Sequence, residues 1–597
     1  MAGGFQSDPA PRRRGDWRNG LQARLSAFAR PVPGLVSQPE PRSIGSFARG
    51  RQLCVGSFLF EGGLVEAPGA AIWDLDMPDA RFEAALHGFA WLDDLAAAGD
   101  GAARRRAQDW TLNWIARFGR GRGPGWAPAL AGRRLIRWLH HAVMLLNGLD
   151  RAQSEAIFRS FARQARFLAR RWPGARPGLP RIEALTGLIY AALFLTGMQR
   201  HLGPALRALD KECDREIDDG GALPSRNPEE LLEVFTLLIW AEAALREAGR
   251  DAGPAHRGAI QRIAPTLRAL RHADGGLARF HGGGRGAEGR LDQALAESGV
   301  KPRPVRGLAM GYARLSSGRT TVLVDAAAPP PPPLSREAHA STLAFELTSG
   351  RRPVIVNCGS GAPFGAAWRR AGRATQSHST LAIKGFSSSR LAPAKKDHGR
   401  ALLAEVPKSV EARQETGVAG HSLTVWHDGY APTHGLTHVR QLLLAYDGRA
   451  LSGEDTLAAF TDEERAAFDK TMARSRQQGV AFDIRFHLHP DVDAEIDMGG
   501  TAVSLALKSG EIWVFRHDGA AELRLDPSVY LEKGRETPRA TKQVVLSARV
   551  MDYASLITWT LAKAQDTPRA LRDLDREDEF EGVAFPWSRP DRPEDEG

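Results

Sequence analysis

Near residue 305 the spacing of apolar residues changes, and this change constrains the fold more than any other feature of the chain. From about residue 77 to 300 apolar residues recur every three or four positions. In 151–172, Phe158, Phe161, Ala165, Leu168 and Trp172 are spaced so, with arginines between them, which places them on one face of a helix. Similar patterns run over roughly 103–118, 130–148, 182–200, 203–217, 229–248 and 255–273, joined by short Gly/Pro/Asp-rich connections. Amphipathic helices with short links predict antiparallel hairpins, arranged as a bundle, a solenoid or an α/α toroid. Beyond 305 the period is two. Stretches 319–327, 342–348, 353–357, 483–489, 511–515 and 542–550 read as strands; in the second, Leu343, Phe345 and Leu347 alternate with Ala344 and Glu346. Strands at this density without intervening helices predict antiparallel sheets stacked as a sandwich.

A chain of 597 residues exceeds one ordinary core, so the expected division is a poorly ordered leader over 1–50, a helical domain over 51–300, an antiparallel sandwich over 305–565 and an acidic tail over 566–597. Leu53 to Leu64 reads as a strand or hairpin. The prolines of 329–333 read as a stiff polyproline loop. The net charge of +10 invites a polyanion partner, although the basic residues are overwhelmingly Arg in a chain rich in Ala, Gly and Pro, which is also a compositional bias. No zinc finger, RNA-recognition signature or phosphate loop supports nucleic acid. Three scattered cysteines argue against a disulfide framework. No apolar run follows the basic N-terminal residues and no window reaches the ~18 apolar residues of a membrane span, so the expected compartment is the cytoplasm and no integral membrane segment is expected.

Several stretches narrow the reading. His87–Leu95 (HGFAWLDDL), Arg133–His141 (RRLIRWLHH), Asp218–Glu233 (DDGGALPSRNPEELLE) and Arg271–Gly282 (RHADGGLARFHG) lie in the helical half. Glu337–Gly359 (EAHASTLAFELTSGRRPVIVNCG), Trp368–Ile383, Trp426–Tyr430 (WHDGY) and Thr437–Leu444 lie in the β-half. In order and spacing they resemble heparinase II/III-like polysaccharide lyases over about residues 40–565. The resemblance implies an N-terminal α/α toroid followed by an antiparallel β-sandwich, an acidic polysaccharide or oligosaccharide held between them, and β-elimination across a uronic acid. It also raises a periplasmic alternative for the compartment. A second function on the same fold is a noncatalytic glycan-binding or envelope-polysaccharide assembly protein.

Elimination needs a neutraliser for the uronate carboxylate, a base for the C5 proton and an acid for the leaving O4. By resemblance, His339 and His378 stand at the two histidine positions near a structural zinc, and Asn357 stands where relatives carry an acidic ligand. An amide in that place weakens a zinc set, and the alternative is a hydrogen-bonded polar cluster. Glu337 stands where active relatives place a second, catalytic His, and Leu179-Pro180 stands where they present an Asn-His pair. Pro228-Glu229-Glu230 occupies the place of a usual Tyr. The remaining candidates are Arg226 and Asn227 for the anionic sugar, with Asn227 alternatively capping the helix that starts at Pro228. Tyr430, beside His427, is the candidate proton donor, with core packing as the alternative. Arg133, Arg134 and Arg137 with Trp114, Trp126 and Trp138 form either a sugar-stacking surface or core. The expected geometry places Arg226 and Asn227 across an open groove from Glu337 and His339.

Overall fold

The computed structural model describes residues 16–332, 334–392 and 402–564. Helices dominate up to Glu297 and antiparallel strands follow from Tyr312. The expected acidic tail lies outside the described residues. The expected weak order of residues 1–50 is corrected from residue 16 onward. Helix Asp16–Ser26 is followed by a stretch tied to the body by Val36 N–H to Phe194 O (2.8 Å) and by Gln38 Nε2 to His140 O (3.0 Å). Helix Phe47–Val55 then leads into the hairpin Ser57–Phe60/Gly63–Glu66.

The main helices begin where the sequence supplies caps. Asp150 and Gln153 form a reciprocal capping box on Arg151–Arg171, whose Ile157, Phe161, Ala165 and Leu168 are buried while Phe158 is only half-buried. Helix Pro128–His140 crosses helix Leu179–Phe194 at two glycines. A Cβ on Gly132 would lie 2.2 Å from Glu183 O, and one on Gly187 would lie 2.5 Å from the Cα of Gly132. The backbones therefore touch, and any side chain at the crossing forces them apart. Gly132→Val is expected to destabilise the protein by about 3 kcal/mol, read as a lower urea midpoint at unchanged slope; a midpoint within error of the parent would contradict the crossing.

The β-half holds two large antiparallel sheets. One runs, in spatial order, Val410–Thr416, Gly420–Tyr430, Leu436–Ala445, Ala450–Ala458, Ala554–Lys563, Ile512–His517, Ala502–Leu507 and Val492–Asp497. The other runs Glu522–Tyr530, Arg539–Val550, Val480–Leu488, Arg352–Val356, Phe345–Ser349, Thr320–Asp325 and Tyr312–Ser317, with Leu381–Ile383 paired to Val480–Leu488. Their inner faces meet through aromatic rings: Phe345 stacks on Trp559 at 5.8 Å, and Phe486 contacts Trp559 and Phe515 at 4.8 Å each.

Two expectations change here. The alternation read for 342–348 does not survive as a half-exposed strand: Leu343 has φ +64°, the strand starts at Phe345, and both faces of Phe345–Ser349 are buried. The reason is a third layer. Val322 and Val324 pack in the sandwich core, whereas Leu323 and Ala344 pack with the helices, so this sheet lies between the other sheet and the helical half. Strands also do not fill the β-half. Helix Asp462–Arg474, with a Thr461/Glu464 capping box, carries the chain from Ala450–Ala458 in one sheet to Val480–Leu488 in the other. Among the described residues no helix is long and apolar enough to cross a membrane.

Candidate functional site at the junction of the two halves

Arg226, Asn227, Glu337, His339 and His378 lie where the 218–227 loop and the 278–284 loop of the helical half meet the middle sheet. Arg226 precedes the helix Pro228–Glu247 in a left-handed conformation (φ +50°) that turns its side chain out of the helical half. Its guanidinium crosses the junction. Nε donates to Met310 O (3.1 Å), Nη1 to Ala327 O and Ala328 O (2.9 and 2.8 Å), and Nη2 to Gly311 O (2.9 Å) and Asp325 Oδ1 (2.5 Å). The Tyr312 ring lies under it at 4.8 Å, and the Tyr312 hydroxyl donates to Arg226 O (2.6 Å). Gly311 is required here, because a Cβ would fall 2.7 Å from Arg226 Nε. All five donors are engaged by protein acceptors and the residue is buried. The expected open-groove role of Arg226 in sugar binding is therefore corrected: it is a latch between the halves.

Asn227 is the cap. Its Oδ1 accepts from the N–H groups of Glu229 (3.0 Å) and Glu230 (3.1 Å), and a Cβ on Gly283 would meet it at 2.5 Å. Capping thus uses the oxygen expected to face substrate.

Asp325 ends a wholly buried strand. Besides Arg226, it accepts from Ser341 Oγ (2.6 Å) and faces His281 Nε2 at 3.5 Å. His281 Nδ1 accepts the backbone N–H of His339 (3.1 Å), which puts the ring proton on Nε2, toward Asp325. His339 Nδ1 lies 3.0 Å from His378 Nε2, and His378 Nδ1 lies 2.8 Å from Ala374 O. A carbonyl only accepts, so the proton sits on His378 Nδ1, His378 Nε2 accepts, and His339 Nδ1 donates. His339 is left with Nε2 as its lone-pair nitrogen, for which no hydrogen-bond partner is found among the described residues. Burial holds His281 and His339 well below the usual imidazole range and His378 at about 4, so all three are neutral at pH 7.

The zinc set expected from His339, Asn357 and His378 is not supported by the donors present. The two imidazoles are adjacent, but Asn357 Oδ1 accepts from Ser379 N–H (3.0 Å) and its Nδ2 donates to Glu346 Oε1 (3.3 Å). Glu346 is itself engaged by His272 Nε2 (3.0 Å) and the Arg279 N–H (3.1 Å). The facing nitrogens of His339 and His378 are taken up by their mutual hydrogen bond and an amide is a poor zinc ligand; among the described residues no group of three or more His, Cys, Asp or Glu could hold a metal ion. The hydrogen-bonded cluster is what the geometry presents.

Glu337 is exposed at the mouth of the junction, bound to Arg369 Nη2 at 2.8 Å. In the helical half, burial and then the charge of Glu337 raise the carboxyl pKa of Glu230, against the charge of Arg176. The two carboxyl groups are near enough for the charge of Glu337 to act on Glu230. Tyr430, the expected proton donor, is fully buried. Its hydroxyl donates to Leu381 O (3.1 Å) and burial raises its pKa, so it is core. Of the arginine–tryptophan set, the three tryptophans and Arg134 are interior, while Arg133 and Arg137 are half-buried and paired with Glu183 and Asp93. Trp114, Trp126 and Trp138 are buried, and Arg134 lies 4.0 Å from the Trp114 ring centre, donating to His87 O and Gly125 O. His281 and Asp325 were not singled out in the sequence. Asp325 left one signal, a carboxylate closing the apolar run TTVLV, which must find a partner if that run is buried.

Comparison with known proteins fits this geometry. Residues 300–560 match the family described as Heparinase II/III-like, C-terminal. FtsZ-localized protein C of Caulobacter vibrioides (strain NA1000 / CB15N) is 31% identical over 563 residues, covering 92% of this chain and 94% of that protein. Among solved structures, heparinase III superposes with a TM-score of 0.65 at 11% identity, covering 92% of this chain and 89% of that one. The heparan sulfate lyase HepC of Pedobacter heparinus superposes with a TM-score of 0.54 at 14% identity, covering 93% and 89%. The family match across the β-half and the fold shared with heparinase III over nearly the whole chain agree: this chain belongs to the heparinase II/III-like family.

Proposed function

We propose that the protein uses the lyase fold as a scaffold without uronate elimination, and works as a protein localised with FtsZ, as its 31% identical relative is named. The observation that carries this reading is the saturation of Arg226. The cation expected to bind the anionic sugar has all five donors bound to protein acceptors. The sealed Tyr430 hydroxyl points the same way. The reading includes the cytoplasmic compartment. Its test is a fluorescent fusion of the full chain imaged beside labelled FtsZ in the cell that produces it. Coincident bands that persist in His339→Ala support the scaffold; a signal indifferent to FtsZ position sinks it.

A second reading, elimination on an acidic polysaccharide, is favoured by one feature. His339 Nε2 is a neutral imidazole nitrogen whose ring is oriented by His378, as a base for a C5 proton would be. Incubation with a panel of uronate polymers, followed by the absorbance of the unsaturated product, decides it. Product that disappears in His339→Ala establishes the lyase; no product from any polymer leaves the scaffold reading standing.

A further inference from the structure

A cleft of about 780 Å³ lies where helix Pro254–Ala269, the 302–309 connection, strand Tyr312–Ser317 and strand Val410–Thr416 meet. It shares Tyr312 with the latch and none of the histidines. Three guanidinium groups line it, and each hydrogen bond found for them goes to a neutral oxygen. Arg268 Nη2 donates to Val300 O (2.6 Å), and Arg303 Nη2 donates to Gln261 O (3.2 Å). Arg314 Nη1 donates to Ala269 O and Arg271 O (3.0 and 2.7 Å). Arg268 Nη1 is buried with no acceptor among the described residues. One carboxylate lines the cleft, that of Glu415, and it is paired with Arg413 at 2.6 Å. A smaller adjoining cleft of about 420 Å³ shares Pro302 and Arg303 and adds Arg257 and Lys301, with Glu242 as its acid.

Cations gathered in a concave, partly desolvated wall without matching carboxylates leave a positive potential that an anion would relieve. Burial lowers the pKa of both Arg268 and Arg314, as expected where counter-charge is missing. The volume is that of a small-molecule site. Because the walls come from the last long helix of one half and from strands of the other, an occupant would hold both.

We propose that this cleft binds a small ligand carrying two or more anionic groups, carboxylate or phosphate, between Arg268, Arg303 and Arg314. The guanidinium fork suits either group. The proposal does not depend on whether the junction is catalytic.

Calorimetric titration of the full chain with trigalacturonate and, separately, with pyrophosphate tests it. One of the two is expected to bind saturably at one site, and the probe that binds names the carboxylate or the phosphate source. Arg268→Gln and Arg303→Gln are each expected to weaken that binding about tenfold. Arg306→Gln, on the same connection but off the lining, is expected to leave it unchanged. Arg303 is exposed, so its variant folds independently of any role of Arg268. The proposal is overturned if neither probe binds saturably, if both lining variants bind like the parent, or if Arg306→Gln loses as much as they do.

Discussion

Acidification from pH 7 to 5 is expected to remove much of the folding stability. Buried neutral histidines carry this effect, and four of them suffice to show its size. Burial holds His87, His140 and His487 at about 3 and His378 at about 4, against an ordinary value near 6.5. Three of them accept a hydrogen bond on the nitrogen that would be protonated: His87 Nδ1 from Trp114 Nε1 (2.9 Å), His378 Nε2 from His339, and His487 Nδ1 from Ser528 Oγ (2.7 Å). A proton there would set two donors against each other in the interior. The sign follows from proton uptake. The folded pKa values lie below the unfolded one, so the unfolded chain binds more protons between pH 6.5 and about 3–4. The contribution is complete above pH 6.5 and is lost as the pH falls through that window. At pH 5 each group gives up about 2 kcal/mol. Together this approaches the 5–15 kcal/mol by which proteins are ordinarily stable. The check is the urea midpoint measured at half-unit steps, expected to fall steeply from pH 6.5 downward. A midpoint flat between pH 7 and 5 would mean that these histidines are not buried as neutral rings.

Removing the carboxylate of Asp325 is expected to cost about 3–5 kcal/mol, because it leaves the buried Arg226 charge without its counter-ion. Asp325 also receives Ser341 Oγ and faces His281, so Asp325→Ala unties strand Thr320–Asp325 from both helical-half loops at once. Urea unfolding followed by tryptophan fluorescence, which reports mainly on the Trp-rich helical core, and by far-ultraviolet dichroism, which reports on both halves, measures the loss. The halves are expected to unfold together in the parent and separately in the variant. Replacing both partners with apolar residues, Arg226→Met with Asp325→Leu, is expected to recover much of the loss, since a buried pair contributes less than its breaking costs. Asp325→Ala within 1 kcal/mol of the parent would show that the halves are held by apolar contact alone.

The order of elements along the chain is legible in local stretches of sequence. The periods of apolar residues are local, and so are the caps: Asp150 with Gln153, and Asn227 before Pro228, act on backbone groups two or three residues away. Helix boundaries such as Pro228–Glu247 and strands such as Arg539–Val550 are legible for that reason, and the motif order carried the family resemblance. The tertiary structure alone decided what each polar side chain is for. Arg226 looks like a substrate cation in sequence because its partners are carbonyls 84 to 102 residues away, and a backbone carbonyl has no letter of its own. Tyr430 looks like a proton donor because nothing near it announces that Leu381 O closes over its hydroxyl. Glu346 looks like the solvent side of a strand because alternation reports one covered face, and here the helical half covers the other. Burial sums contacts over the whole chain, so it could not be read from any window of it.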